Sequence, residues 1–539
     1  MFDCDVLFPL GHLTEWMITM SRTMKVFFVF FLTIATSCVE DAEGDPGEES
    51  GAPFDGGSDG GSTGEADAGS DGGEDSGPSP VLSCLVHVRG SMADYDLHDG
   101  SSWELAYGEV QEGIDRARWL VKSGTCAAPE VWVASGVYSP AADPLGEVDP
   151  ADPRTRTILL KPGVPLYGGF QGNETEREER DVAANEVILS GDIGVSGDSS
   201  DNVYHVVTGT SGATIDGFTI TGGRADGSDE NARGGGMYNA SASPVVVDCV
   251  FAENVARDGG GMANITSSPV VTGCVFENNV TICEFDGDSN GAGGGMYNID
   301  SSPIVSRCVF RGNHGSGGGG GMANTAVGWG GIGSSPVVSS CVFERNSTTI
   351  LPYDYGTTFG GGIYNFVNSS PEVSNCVFAR NTANMGGNVA NITNCSPVFA
   401  NCSFLGSESD SSCCMRNEGS SSNPVVRNSI FWSVDGDPSY VVFTGTPIVS
   451  YSDVQGGFPG VGNLDTDPLF IDPDPATGPV DLRLGCGSPC LDSGSTTALP
   501  ADAADLDEDG DTTEQLPVDL GGNDRVSGAS VDMGAYEYP

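Results

Sequence analysis

Basic side chains are scarce in this chain. Lysine occurs only at Lys25, Lys122 and Lys161, and 22 Lys and Arg stand against 75 Asp and Glu, a formal net charge of −53. Such a surface repels phosphate backbones and anionic lipid, which excludes nucleic acid as a partner. None of the 16 cysteines has Cys-x-x-Cys spacing, so a zinc ribbon is not encoded. After residue 38 no apolar run is long enough to cross a bilayer. Helical periodicity is missing too, except from about Glu109 to Lys122, where Val110, Ile114, Ala117, Arg118 and Val121 form a partial stripe. A helical core is thereby excluded.

What the chain has in abundance is one repeated phrase. A Gly-rich run ending in Asn is followed by Ser/Asn-x-Pro and then, five residues on, by Cys-Val-Phe-x-x-Asn. The clearest copies are Gly234–Asn254, Gly259–Asn279 and Gly293–Asn313. The Pro marks fall at Pro244, Pro269, Pro303, Pro336, Pro371, Pro397 and Pro424. Cys249, Cys274, Cys308, Cys341, Cys376 and Cys402 follow six of them, and Ser429 follows the seventh. Each unit of about 25 residues holds short β-rich runs separated by Gly, Asn and Ser and cannot close a core alone. Stacking solves this as an all-β solenoid, a right-handed single-stranded parallel β-helix with one unit per coil and ~4.8 Å between coils.

Residues at one repeat position then form ladders. The Phe column (Phe251, Phe276, Phe310, Phe343, Phe378, Phe404, Phe431) is expected to fill the interior, and the Cys column to lie on an inner face as thiols. The Asn column (Asn254, Asn279, Asn313, Asn346, Asn381) is expected to turn a corner in the left-handed region. Disulfide candidates lie outside the ladder: Cys84 with Cys126, and Cys486 with Cys490.

The ends carry an address. Met24–Cys38 has one Lys, a short apolar run and Ile-Ala-Thr-Ser-Cys, the pattern of a bacterial lipoprotein signal with Cys38 as the lipidated residue. Residues 1–23, with Asp3, Asp5 and Glu15, suit no export signal and read as an extension before a start at Met24. Residues 39–80 hold thirteen acidic residues and no Lys or Arg, and they read as a disordered tether with a reach of roughly 35 Å. The expectation is a protein held to a membrane by lipid, in the bacterial outer membrane or at the cell surface. Val39 after the lipidated Cys permits outer-membrane sorting. Residues 81–460 are assigned to the β-helix and 461–539 to a C-terminal cap module.

At Gly100–Pro140, followed by Leu166–Phe170 and Val187–Ile193, the sequence resembles the opening of bacterial β-helix proteins of the pectate-lyase-like superfamily. That resemblance implies a helix capping the first coil. The Gly-Gly-Gly-Met and Phe-x-x-Asn phrases resemble repeats of chlamydial polymorphic outer membrane proteins. Asp465–Tyr538 resembles a C-terminal module of bacterial surface β-helix proteins. The resemblance covers residues 100–539 and speaks for fold. It carries no catalytic residues over: Gly-His-Gly and Arg-Ile-Lys, which a polygalacturonase would show, are missing. The repeat arginines, Arg257, Arg307, Arg311, Arg345, Arg380, Arg416 and Arg427, sit at varied positions and form no evident cluster, and His205 and His314 read as turn or surface residues. Adhesion or binding of a glycan or another surface macromolecule is expected rather than catalysis. The alternative is a polysaccharide lyase or glycoside hydrolase.

Two irregular features stand out. After Phe-x-x-Asn, the connections 224–233, 280–292 and 347–359 are long, whereas 255–258, 314–318 and 382–385 are short. Long loops should therefore leave one corner on every second coil. Glu284, Phe285, Asp286, Asp288, Tyr353, Asp354, Tyr355 and Phe359 lie in them, acids and aromatics suited to sugar rings. The second feature is Asp505-x-Asp507-x-Asp509-Gly510-Asp511, which matches the start of a Ca²⁺ loop but has Leu516 where a full EF-hand loop has Glu.

Overall fold

The structure, a computed structural model, describes residues 84–539 except 91–97, 284–290, 329, 349–356, 407–413, 420, 435–445 and 476–477. The signal sequence with Cys38, the tether, and seven of the eight loop residues named above lie outside the described residues. No described helix is long and apolar enough to cross a membrane.

Each repeat makes one turn of a parallel β-helix. In the coil that starts at Met237, strand Met237–Ala240 joins a 9-stranded sheet and Val245–Val247 a 12-stranded sheet. Val250–Ala252 then joins an 11-stranded sheet and Val255–Ala256 a 5-stranded one. All four sheets are parallel, and through the repeats they are in register: Phe251 pairs with Phe276, then Phe310, Phe343, Phe378, Phe404 and Phe431. These rings are fully buried. Neighbouring centroids lie 4.3–4.9 Å apart, close to the spacing of the strands that carry them. The Cys column faces inward beside them as free thiols, kept protonated by burial at Cys249 and Cys274.

The Asn column departs from expectation. The left-handed residue at that corner is the one before each Asn: Glu253, Asn278, Gly312, Arg345 and Arg380, with φ from 54 to 64°. The Asn itself points into the core. Asn313 Oδ1 accepts from the backbone N–H and from Nδ2 of Asn279, and Asn313 Nδ2 donates to Phe276 O and Asn346 Oδ1. The amide is therefore used as a buried bridge between coils rather than as a turn former. A second amide ladder, not foreseen, runs through Asn239, Asn264, Asn298, Asn324, Asn365, Asn391 and Asn417 at 2.7–2.9 Å. The Gly triplets between the ladders are needed for close approach: a Cβ on Gly295 would lie 2.6 Å from Gly321 O and 2.9 Å from the Phe310 ring.

Helix α1, Val110–Lys122, covers the first coil with Val110, Ile114, Ala117 and Leu120, and the Cys84–Cys126 disulfide ties its end to the strand at Leu85–Val88. Leu120 takes the buried position that the sequence pattern gave to Val121. At the other end Phe458 packs against the interior and Leu464 bridges Asp453.

The C-terminal segment does more than cap, because it runs back along the solenoid. Asn428, Asn401 and Asn375, three successive turn residues, bond Ser495, Asp532 and Val518. Leu482 and Ala535 pack on Val377, Ala379 and Leu405 of the 11-stranded sheet. The expected Cys486–Cys490 bond is not made. Cys486 is exposed, while Cys490 is buried and its thiol donates to Asp453 Oδ2 at 3.2 Å. Burial pushes Asp453 up to about 6.

Asn313→Ala would orphan the Asn279 backbone N–H and one Asn279 Nδ2 hydrogen in the core and strip the side-chain donor from Phe276 O and from Asn346 Oδ1, the latter keeping only the backbone N–H of residue 313. At ~1–3 kcal/mol for each unsatisfied buried group, we expect a loss of about 3 kcal/mol or more in urea unfolding, and a loss under about 1 kcal/mol would contradict the ladder's role.

Candidate functional site

Three places gather chemistry. The first is the corner of the long connections. Their roots are in register: Arg224 pairs with Val255, Val280, His314 and Ser347 in turn, and the far ends meet again at Arg233–Asp258, Ala292–Gly318, Gly318–Phe359 and Phe359–Met385. Long and short connections thus leave one edge in alternation. The outer face of the adjoining 9-stranded sheet alternates with them. Coils preceded by a long connection carry Tyr238, Tyr297 and Tyr364, and those preceded by a short one carry Ala263, Ala323 and Ala390. Tyr364 lies between Phe359 and Phe366, with centroids at 5.7 and 5.6 Å, and Tyr238 stacks on His205 at 4.8 Å. Burial holds His205 neutral, pushed down to about 4. His205 and His314 are half-buried, and each bonds within this wall, His205 to Gly234 O and His314 to Ser347 Oγ. Of the eight loop residues named from the sequence, Phe359 alone falls among the described residues, and it belongs to this aromatic floor.

The second place is a groove of about 510 Å³ on the outer face of the 11-stranded sheet, lined by Val182, Glu186, Phe218, Thr219, Asp248 and Val250. Arg180 forks onto Asp216 with both contacts at 2.8 Å at its edge. Asp248, one coil on, is an exposed residue whose carboxyl is pushed up by partial desolvation and by Asp216, with Arg180 and Arg307 opposing. Two carboxylates on neighbouring coils thus sit in unlike surroundings, one forked by a guanidinium and one exposed at the groove.

The third is the acidic loop of the C-terminal segment. The structure brings Asp505, Asp507 and Asp509 together, and separately Asp502, Asp507 and Glu514; in each set the carboxylate oxygens lie within 4.8 Å of one another. Asp511 is not in either set, since its Oδ1 accepts from the N–H and hydroxyl of Thr513. Asp502 was missed because the alternation of acids begins after it, and a turn of the chain returns it to Asp507. Burial first, then Asp507 and other neighbouring acids, push Asp502 and Glu514 up.

The arginines correct an expectation. Arg311, Arg345 and Arg380 converge on the buried Glu344, with the shortest contact 2.8 Å from Arg345. Arg380 and Arg345 also hold Asp474, Pro475 O and Gly478 O, and Arg307 holds Glu508 and Leu506 O. Arg345 and Arg380 share one slot of the repeat, the residue before the Asn, and Arg311 pairs directly with Glu344, so the cluster shows only when the coils are laid in register. These groups fasten the C-terminal segment. The acidic and basic residues of its motif do likewise: Arg525 and Glu537 form a buried pair at 3.2 Å, and Asp519 and Asp532 accept backbone N–H groups around it.

No family model and no curated protein matches the chain. Among solved structures, pectate lyase Pel9A is similar with a TM-score of 0.47 at 13% identity, covering 84% of this chain and 96% of that one. A xylose complex of XylC gives 0.34 at 9%, covering 84% and 98%. The A-module of the Azotobacter vinelandii mannuronan C-5 epimerase AlgE6 gives 0.26 at 13%, covering 66% and 89%. The protein is a right-handed parallel β-helix. The likeness concerns fold alone, and the sites of this β-helix are argued from its own residues.

Asp248 offers a pH test. Its folded-state pKa lies above the ordinary 3.8, so its contribution to stability is full below 3.8 and is lost as pH rises through the folded value. Asp248→Asn should therefore melt at or slightly above the parent temperature at neutral pH, with the difference vanishing in acid. An Asp248→Asn variant that melts well below the parent at neutral pH would contradict this environment.

Proposed function

We propose that this β-helix is held to the bacterial envelope by a lipid on Cys38 and binds a glycan at its long-loop corner. The observation that carries the proposal is the two-coil alternation. Long connections and tyrosines occur together on every second coil, so the same chemistry recurs about 10 Å apart along the axis. An extended polymer presents its own units at regular intervals and suits a site of this form. Aromatic rings offer apolar faces to sugar rings, and the acids named in the loops offer acceptors to hydroxyls. The tether of residues 39–80 would carry the body clear of the lipid.

The test is a glycan array on the protein before and after shortening 282–290 and 349–356 to the length of the short connections, leaving the paired roots intact. Binding should vanish while the melting temperature stays within a few degrees. Binding that survives would place the function elsewhere. Tyr364→Ala copies what Ala323 and Ala390 already do in neighbouring coils, so it should fold, and we expect it to weaken binding by about tenfold or more, ~1.4 kcal/mol.

A second reading, a polysaccharide lyase or hydrolase, is favoured by one observation, the unlike pair Asp216 and Asp248 at the open groove. It requires unsaturated products or new reducing ends from a uronic-acid or neutral polysaccharide, lost in Asp248→Asn. No product from either class would remove it.

A further inference from the structure

Asp502 is 1% exposed, yet its Oδ1 has no hydrogen-bond partner. Its Oδ2 accepts the Leu506 N–H at 2.6 Å, which fixes the carboxylate, and one Asp502 carboxylate oxygen lies within 4.8 Å of carboxylate oxygens of Asp507 and Glu514. Glu514 Oε1 is likewise buried and unbonded. A buried carboxylate oxygen left without a partner is strongly unfavourable, and two facing a third carboxylate are more so. No described basic residue ion-pairs with Asp502, Asp507 or Glu514; the nearby Arg307 pairs with Glu508 instead.

We infer that Asp502, Asp507 and Glu514 bind a divalent cation of the Ca²⁺ type, and that the ion locks the acidic loop against the solenoid. The distances suit such an ion. Ca²⁺ holds oxygens at ~2.3–2.6 Å, so two ligands on opposite sides of it are separated by roughly 4.6–5.2 Å, and these oxygens lie within 4.8 Å. The donors are all carboxylate oxygens, which suit a hard cation and not zinc or copper. Asp507 also belongs to the outer set with Asp505 and Asp509, so that set can add ligands to the same ion or hold a second one. The loop is joined to the body through Leu506 O and Glu508, both held by Arg307 of the turn before Cys308. Fixing Asp502 and Asp507 fixes the residue between them that Arg307 grips. The cation therefore acts on docking of the C-terminal segment, independently of any glycan at the far corner.

The experiment is titration of the chelator-stripped full-length protein with CaCl₂ by calorimetry, with TbCl₃ luminescence and thermal melts alongside. We expect saturable binding at or below about 1 mM, in the range of extracellular Ca²⁺ modules, and a rise of several degrees in the melting temperature. Asp507→Asn, at an exposed position, should fold without Ca²⁺ as the parent does and lose affinity by about tenfold or more, since it removes a charge shared by both sets. Asp502→Asn should lose affinity similarly. Asp511→Asn, outside both sets, should bind within about twofold of the parent, as ligand charge count is unchanged. No saturable heat and no melting shift in the parent would overturn the inference. So would equal affinity in the parent and Asp507→Asn, which would assign the binding to diffuse acidic surface.

Discussion

In-register stacking of one coil on the next dictates which residues this molecule can use and where. Once strands pair in parallel at the spacing of a sheet, each residue meets its counterpart one coil away, and the composition of the repeat follows. A Phe recurs because rings stack at that spacing. An Asn recurs because its amide both donates and accepts, so a column of them satisfies itself and the backbone beside it. A recurring charge would repel its copies. The interior columns accordingly hold Phe, Val, Met, Cys and Asn, and acids are left to surfaces and connections.

A chain of net charge −53 must also attach its C-terminal segment to this acidic body. It does so by concentrating its few arginines. Arg307, Arg345 and Arg380 stand in turn positions of successive or nearby coils and reach carbonyls and acids of that segment. Beneath them Glu344 holds three guanidiniums on the sheet surface. The segment's own core is a charged network around Arg525, where each carboxylate also accepts backbone N–H groups, as a buried charge requires. The residues most characteristic of the C-terminal motif are therefore structural.

The solenoid was legible in the sequence because its signal is periodic. Phe and Cys at fixed offsets could only mean ladders, and α1 was visible as the lone helical stripe. What escaped was whatever depends on the third dimension. The left-handed position passed from the Asn to its neighbour because the amide is worth more as an inter-coil bridge. The arginines on Glu344 lie about 35 residues apart in sequence, Arg345 and Arg380 at one repeat slot and Arg311 as the strand partner of Glu344, and the register brings them together. Cys486 and Cys490 are near in sequence but diverge, one to solvent and one to Asp453. In the acidic loop, alternation revealed Asp505, Asp507 and Asp509, whereas Asp502 and Glu514 join through the path of the turn. Of the long-loop corner, the spacing gave the positions of the loops, and the structure added the tyrosines that share their alternation.

The register fixes where every coil stands, and a distance along the axis reads it. Val245 and Ile448 occupy the same outward column of the 12-stranded sheet, and both are exposed, at 37% and 61%. Between them the ladder steps through Val270, Ile304, Val337, Glu372, Val398 and Val425. Seven steps of ~4.8 Å place the two backbones about 34 Å apart. Spin labels at these two positions, read by double electron–electron resonance, should give one narrow distribution centred near that distance. A broad distribution, or a centre displaced by more than about two coil steps, ~10 Å, would contradict the stacked solenoid.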